Sequence, residues 1–315
     1  VLALASLGLL ALAAAGAGLR PPAAVETAAQ TARRPNTGLG AACDQSAPYR
    51  PLPACDQPGP GGAPPATLVW GDSLAMHLVP GLARRLPGGL RQATQSSCGP
   101  LLGLAPLSDA GHTPAWARQC QAFNEGVLAH LATRPDLRRV VLASAYRQYL
   151  VPQDLGRHWT QWRRGPQGDE HTGPVDPAAA VDALVATVQA VQALGREVVV
   201  VAPPPLAEVD TGRCLARQEA GRWTLGLQAG EPCAVDLAAD ARLQAPVRAL
   251  LDGLRARLPQ VQVVDLRAAG CPPGSAACPA RLPSGTPLYR DARHLSVEGS
   301  QALAAAQRWE RWAAP

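Results

Sequence analysis

Three side chains near opposite ends of the chain, Ser73, Asp291 and His294, are of types that together perform nucleophilic chemistry. A serine hydroxyl is a weak nucleophile until a neighbouring base takes its proton. Histidine is the side chain suited to that task near neutral pH. A carboxylate three residues before it, in an irregular turn, holds the imidazole in one tautomer and stabilises its cation. Ser73 lies in Gly71-Asp72-Ser73-Leu74, where the short apolar run 67–70 stops and an amphipathic pattern (Leu74, Met76, Leu78, Leu82, Leu86) begins. Such a turn leads from a strand into a helix. The first N–H groups of that helix lack intrahelical partners and sit at the positive end of its dipole. An oxyanion forming beside Ser73 therefore meets donors already aimed at it. The plainer alternatives make Ser73 an N-cap and Asp291 and His294 ordinary loop polars. The occurrence of both motifs in one α/β chain favours the catalytic reading, with Asp72 ordering the turn rather than reacting.

The elements that must position these residues follow from hydrophobic periodicity. From residue 66 onward, apolar strands alternate with helical patterns, which predicts a mostly parallel sheet covered on both faces. Strands are expected at 67–70, 91–95 (weak), 139–143, 197–202 and 261–266, and helices at 120–133, 177–194, 244–258 and 297–312. Asp176-Pro177 supplies a start signal for the second of these helices and Gly195 a stop. Residues 150–176, with Trp159, Trp162, Arg163 and Arg164 among prolines and glycines, read as a surface excursion; a second excursion carries Cys214 and Cys233.

Composition narrows the function classes. The formal net charge is +5, yet all 29 basic residues are Arg, with no Lys and no Ile, so the excess follows a coding bias rather than a polyanion partner. No stretch interleaves basic and aromatic residues as a nucleic-acid groove does, which sets nucleic acid aside. The eight cysteines form four sequence-local couples with no Cys-x-x-Cys pair and no histidine at zinc spacing, so a metal site is not expected. An even count in short-range couples suggests disulfides and an oxidising compartment, although sequence leaves the connectivity open. Residues 1–18 are apolar or small, and as a helix they would span about 27 Å, close to a bilayer core. Residues 1–19 are therefore expected to be the last membrane helix of a longer protein, with a signal-peptide remnant as the alternative. Residues 20–65, rich in Pro, Ala, Gly and Arg, read as a semi-rigid linker, and 66–312 as one catalytic domain.

Gly71-Asp72-Ser73-Leu74 and Asp291-Ala292-Arg293-His294-Leu295-Ser296 resemble the first and last blocks of SGNH (GDSL-like) hydrolases. Cys98-Gly99-Pro100-Leu101, the stretch from Cys120 to Asn124, 141–146 and 287–296 resemble, more narrowly, the periplasmic SGNH domain of acyltransferase-3 membrane proteins. The resemblance implies a three-layer α/β/α fold with a five-stranded parallel sheet, preceded by one transmembrane helix. It implies an O-acyltransferase, most simply O-acetyl, acting on hydroxyls of bacterial surface polysaccharide through a Ser73 acyl-enzyme, with His294 and Asp291 completing the triad. The oxyanion hole would comprise the N–H groups of Ser73 and Gly99. The Asn that the superfamily's third block supplies is missing: the loop after the third strand reads Ser144-Ala145-Tyr146, while Asn36 lies in the linker and Asn124 on a helix with a structural role expected. Loss of one oxyanion donor typically costs roughly 10²–10³ in rate, which disfavours efficient hydrolysis and suits transfer to a sugar. The domain itself would bind no cofactor; acetyl-CoA would serve the membrane acyltransferase domain of the same full-length chain. Its partner would be a cell-surface glycan, and its place the periplasmic face of the inner membrane. Trp159 and Trp162 are candidates for stacking on sugar, and Arg147 for meeting an anionic glycan, with local packing and a surface salt bridge as the alternatives. His77, His112, His130, His158 and His171 are expected to be structural. A periplasmic carbohydrate esterase and a catalytically silent glycan-binding module are the competing functions.

Overall fold

The computed structural model describes residues 26–46, 48–154, 156–165, 167–220, 233–267, 271–272 and 274–315. The expected membrane helix at 1–19 lies outside the described residues; among those described, no helix is long and apolar enough to cross a membrane.

Thirteen strands occur in chain order among the described residues. They are β1 (Asp56–Gln57), β2 (Thr67–Gly71), β3 (Leu90–Thr94), β4 (Leu104–Leu107), β5 (Arg139–Ala143), β6 (Gln153–Asp154), β7 (Arg157–His158), β8 (Thr160–Arg164), β9 (Glu170–Pro174), β10 (Glu197–Val201), β11 (Val235–Asp236), β12 (Gln262–Val264) and β13 (Ala277–Cys278). The main sheet has six strands in the order β1-β3-β2-β5-β10-β12. From β3 to β12 every pairing is parallel, whereas β1 runs antiparallel to β3, Asp56 opposite Arg91.

This corrects the expectation of a purely parallel five-stranded sheet. The sixth strand comes from the Pro/Gly-rich stretch before residue 66, where no periodic pattern signals it. Its position is secured by tertiary contacts: the Cys43–Cys55 disulfide and the Arg91–Asp56 ion pair. The residues before it also satisfy polar groups of β3 that would otherwise lie bare on the sheet. Gln92 Nε2 donates to Thr37 O (3.0 Å), Leu39 N–H donates to Gln92 Oε1 (2.8 Å), and Thr94 Oγ1 donates to Cys43 O (2.8 Å). The polar character that makes β3 a weak strand in sequence is thus matched to a cover from outside the repeating pattern.

The central strands are buried on both faces, which is why they read as unbroken apolar runs. Leu68, Trp70, Val140, Leu142 and Val200 face the helices Pro114–Ala132, Pro177–Ala193 and Ala245–Arg257. Val69, Val141, Val199 and Val201 face Val79–Arg85 and Val297–Gln307. The start signal at Asp176 works as its chemistry predicts: the carboxylate accepts from the N–H groups of Ala178 and Ala179, and Pro177 occupies the first turn. Within the 150–176 excursion, β8 and β9 join β4 in a separate antiparallel sheet, β4-β8-β9, and Trp162 is taken into the core. All eight cysteines pair as their sequence-local couples: 43–55, 98–120, 214–233 and 271–278.

Candidate active site

The chain runs from β2 to β3 on one side and later returns to β5 on the other side of β2. The carboxyl ends of β2 and β5 therefore flank the point where winding reverses, the place where open α/β sheets form a crevice. Gly71 ends β2 with φ +154°, and a Cβ there would lie 1.8 Å from the carbonyl oxygen of Ala143 at the end of β5. Only glycine allows that approach. Asp72 then caps the turn, and its carboxylate is saturated by donors from both loops. Oδ1 accepts from Leu74 N–H (2.8 Å), and Oδ2 from Ser144 Oγ (2.6 Å), Ala145 N–H (3.0 Å) and Gln148 Nε2 (3.2 Å). Asp72 thus ties the serine turn to the loop after β5.

Ser73 Oγ lies 2.8 Å from His294 Nε2, and His294 Nδ1 lies 2.9 and 3.0 Å from the two oxygens of Asp291. Asp291 is oriented by the N–H groups of Arg293 and His294 (both 2.9 Å) and by Arg290 Nε (3.0 Å). Burial pushes the Asp291 carboxyl up. The hydrogen bond and charge of His294, together with the two backbone N–H groups, outweigh it and hold the carboxyl well below the usual carboxylate range. Ionised Asp291 accepts a proton-bearing Nδ1, which leaves Nε2 as the acceptor for the Ser73 hydroxyl. That tautomer is the one a general base requires.

A second imidazole supports the first. Leu295 N–H donates to His77 Nδ1 (3.2 Å), and the His77 ring stands edge-on to His294, 6.1 Å between centroids. Burial, reinforced by the charge of His294, holds His77 well below the ordinary histidine value, so it stays neutral beside the triad. Asn36 donates to the carbonyls of both His77 (3.4 Å) and Leu295 (3.2 Å), bridging the serine helix and the histidine loop.

Ser73 and His294 open onto a cleft of about 320 Å³. Of the remaining sequence candidates, Trp159 lines it, and Gly99, Trp162 and Arg147 do not. Gly99 donates its N–H to Tyr149 Oη (2.7 Å), and its carbonyl accepts from Asn124 Nδ2 (2.9 Å). Trp162 is only 1% exposed, and its indole N–H donates to Glu170 (3.1 Å). Arg147 is buried behind the wall, with Nε on Asp154 Oδ1 (2.7 Å). Sequence reasoning missed Ser97, Gln148, Asp154, Arg157 and Arg293 on the cleft wall. Ser97 adopts φ +64°, a conformation uncommon outside glycine, and Tyr146 in the facing loop adopts φ +58°. The adjacent Cys98-Gly99-Pro100 turn was the available signal for Ser97. Asp154 and Arg157 sit in β6 and β7, two-residue strands with no periodicity to read. Among the described residues no group of His, Cys, Asp and Glu is arranged to hold a metal ion.

The family model described as "SGNH domain (fused to AT3 domains)" matches residues 42–307. Among solved structures, the chain is similar to the periplasmic domain of a lipopolysaccharide acetyltransferase from Salmonella ser. Paratyphi A. The two share 16% identity with a TM-score of 0.58, over 92% of this chain and 98% of that one, a likeness of fold. No curated protein matches the chain.

Proposed function

We propose that this chain, which belongs to the family of SGNH domains fused to AT3 domains, is an O-acyltransferase domain that passes an acyl group, most simply acetyl, to a glycan hydroxyl. The observation that carries the reading is the Ser73–His294–Asp291 relay at the mouth of the cleft. Ser73 Oγ attacks the acyl carbonyl while His294 Nε2 takes its proton. The tetrahedral oxyanion lies beside the N–H of Ser73 at the start of the Ser73–Met76 helix. Collapse breaks the bond to the donor's leaving group, which departs with the proton from His294. In the second half a sugar hydroxyl gives its proton to His294 and bonds to the acyl carbon. The ester bond to Ser73 breaks, and the proton returns to Ser73 Oγ.

Gly99 is not available as a second donor in this arrangement, because its N–H is engaged by Tyr149. A weak oxyanion site slows attack by water and by sugar alike, so preference for the sugar rests on a hydroxyl positioned in the cleft. The donor would be a membrane acyltransferase domain drawing on acetyl-CoA, and the glycan acceptor agrees with the lipopolysaccharide named for the Salmonella protein. The domain would then work on the periplasmic side of the inner membrane.

The test follows acetyl from an activated ester into water and into candidate glycans, for the wild-type chain, Ser73→Ala and His294→Ala. Acetylated sugar that falls at least about 10³-fold in both variants supports the reading. Ser73-dependent release of free acetate alone, unaffected by any sugar, would replace it with an esterase. No Ser73-dependent turnover would leave a glycan-binding module.

A further inference from the structure

We propose that the acceptor is an anionic sugar, bearing a carboxylate or phosphate near the acylated hydroxyl, and that Arg157 and Arg293 recognise that charge. The inference rests on reading the cleft as an acyl-transfer site and names its substrate class.

Asp154 is a carboxylate buried in the cleft wall. Its Oδ1 accepts from Arg147 Nε (2.7 Å) and its Oδ2 from Arg293 Nη2 (3.0 Å). One carboxylate thus faces two guanidiniums. Arg157, on the same wall, is exposed and makes no side-chain hydrogen bond or ion pair among the described residues. Arg293 is matched by Asp154, which leaves Arg157 as a guanidinium on the cleft with no carboxylate partner among the described residues. Neither of the other carboxylates at the site pairs with Arg157: Asp72 is held by four neutral donors, and Asp291 by His294 and Arg290. Asp109 and Glu208 line an adjoining hollow on the far side of Arg157, not the cleft.

The unmatched polar atoms point the same way. Among residues lining the cleft, the buried side-chain atoms without a partner are Arg293 Nε and Trp159 Nε1, both N–H donors. Two unpartnered donors in the wall and the unpaired guanidinium of Arg157, beside an indole, suit a sugar ring that brings its own acceptor oxygens. A guanidinium presents a planar fork that matches carboxylate or phosphate, and low-dielectric walls concentrate anions in such a cleft. Arg293 and His294 line the same cleft, so an anion held by Arg293 shares that cleft with the general base. The charge would orient the acceptor so that a neighbouring hydroxyl, rather than water, meets the acyl-enzyme.

The test uses the 315-residue chain carrying Ser73→Ala, so that binding is read apart from turnover. Methyl β-D-glucuronide, α-D-glucose 1-phosphate and methyl β-D-glucoside are titrated by calorimetry at low and high salt. Affinity for at least one anionic sugar about tenfold or more above the glucoside, weakening with salt, is expected. Adding Arg157→Gln should remove most of that preference, and Arg157→Lys should restore part of it. Preference for the glucuronide alone identifies a uronate and for the phosphate alone a sugar phosphate; both support the proposal. Equal affinity for all three, no binding by any, or a preference indifferent to Arg157→Gln overturns it. Because these variants lack the nucleophile, the acyl-transfer reading stands or falls separately in the acetyl-partition experiment.

Discussion

At the residue scale, Ser73 and His294 are placed by two neighbours, Asp72 and His77. Asp72 locks the turn by satisfying four donors from two loops, and His77 anchors the loop that carries His294. His77 has a pH signature. Its pKa when folded lies well below the ordinary value of 6.5, so the unfolded chain binds a proton first as pH falls. Its contribution is fully present above about pH 6.5 and is lost progressively below it. His112 and His130 are shifted in the same direction, chiefly by burial, His130 to about 4. Urea unfolding of the wild type should therefore show a midpoint that drops between pH 7 and 5. His77→Asn, which keeps an acceptor near Nδ1 and cannot titrate there, should show a shallower drop. Identical slopes would mean that the other shifted histidines, His112 and His130, carry the dependence.

At the element scale, the helix Pro114–Ala132 fixes the floor beneath the loop after β3. Trp70 Nε1 donates to Asn124 Oδ1 (2.9 Å) and Asn124 Nδ2 donates to the Gly99 carbonyl (2.9 Å), all fully buried. Cys120, one turn earlier, is bonded to Cys98. Asn124 thus stitches β2, the loop and the helix together, the structural role expected for an asparagine on that helix. Asn124→Leu conserves volume but strands an indole N–H and a carbonyl. It should cost about 2–4 kcal/mol in urea unfolding. An unchanged midpoint would show that the pair finds other partners. The helices were readable from apolar period and capping chemistry. β8 and β9 were not: β8 carries a single apolar residue, Trp162, and is covered by pairing with β4, more than fifty residues away in sequence, while β9 is a polar, mostly exposed strand that ends in Gly173-Pro174.

At the scale of the whole molecule, the stretch before β2 is bound to the sheet rather than hanging from it. It supplies β1, the Cys43–Cys55 disulfide, the partners of Gln92 and Thr94, and the Asn36 bridge beside the triad. A chain beginning at residue 26 should unfold in urea as one cooperative unit. A chain beginning at residue 58 should be less stable by about 3 kcal/mol or more, since it loses a cross-link and several buried hydrogen bonds. Equal midpoints would show that the cover is dispensable.

The sequence by itself determined the alternation of strands and helices from residue 67 and the turn that carries Ser73, because period and capping are local properties of the chain. It also singled out Asp291 and His294 as partners for that serine, and the short-range cysteine couples. Only the tertiary structure decided what meets across distance. It added the antiparallel β1 to the parallel strands and took Trp162 into the core. It closed the Gly99 N–H on Tyr149 and set Arg157 and Arg293 on the cleft instead of Arg147. Those outcomes depend on which groups lie within hydrogen-bond reach after the sheet has brought remote loops together, and spacing along the chain carries no record of that reach.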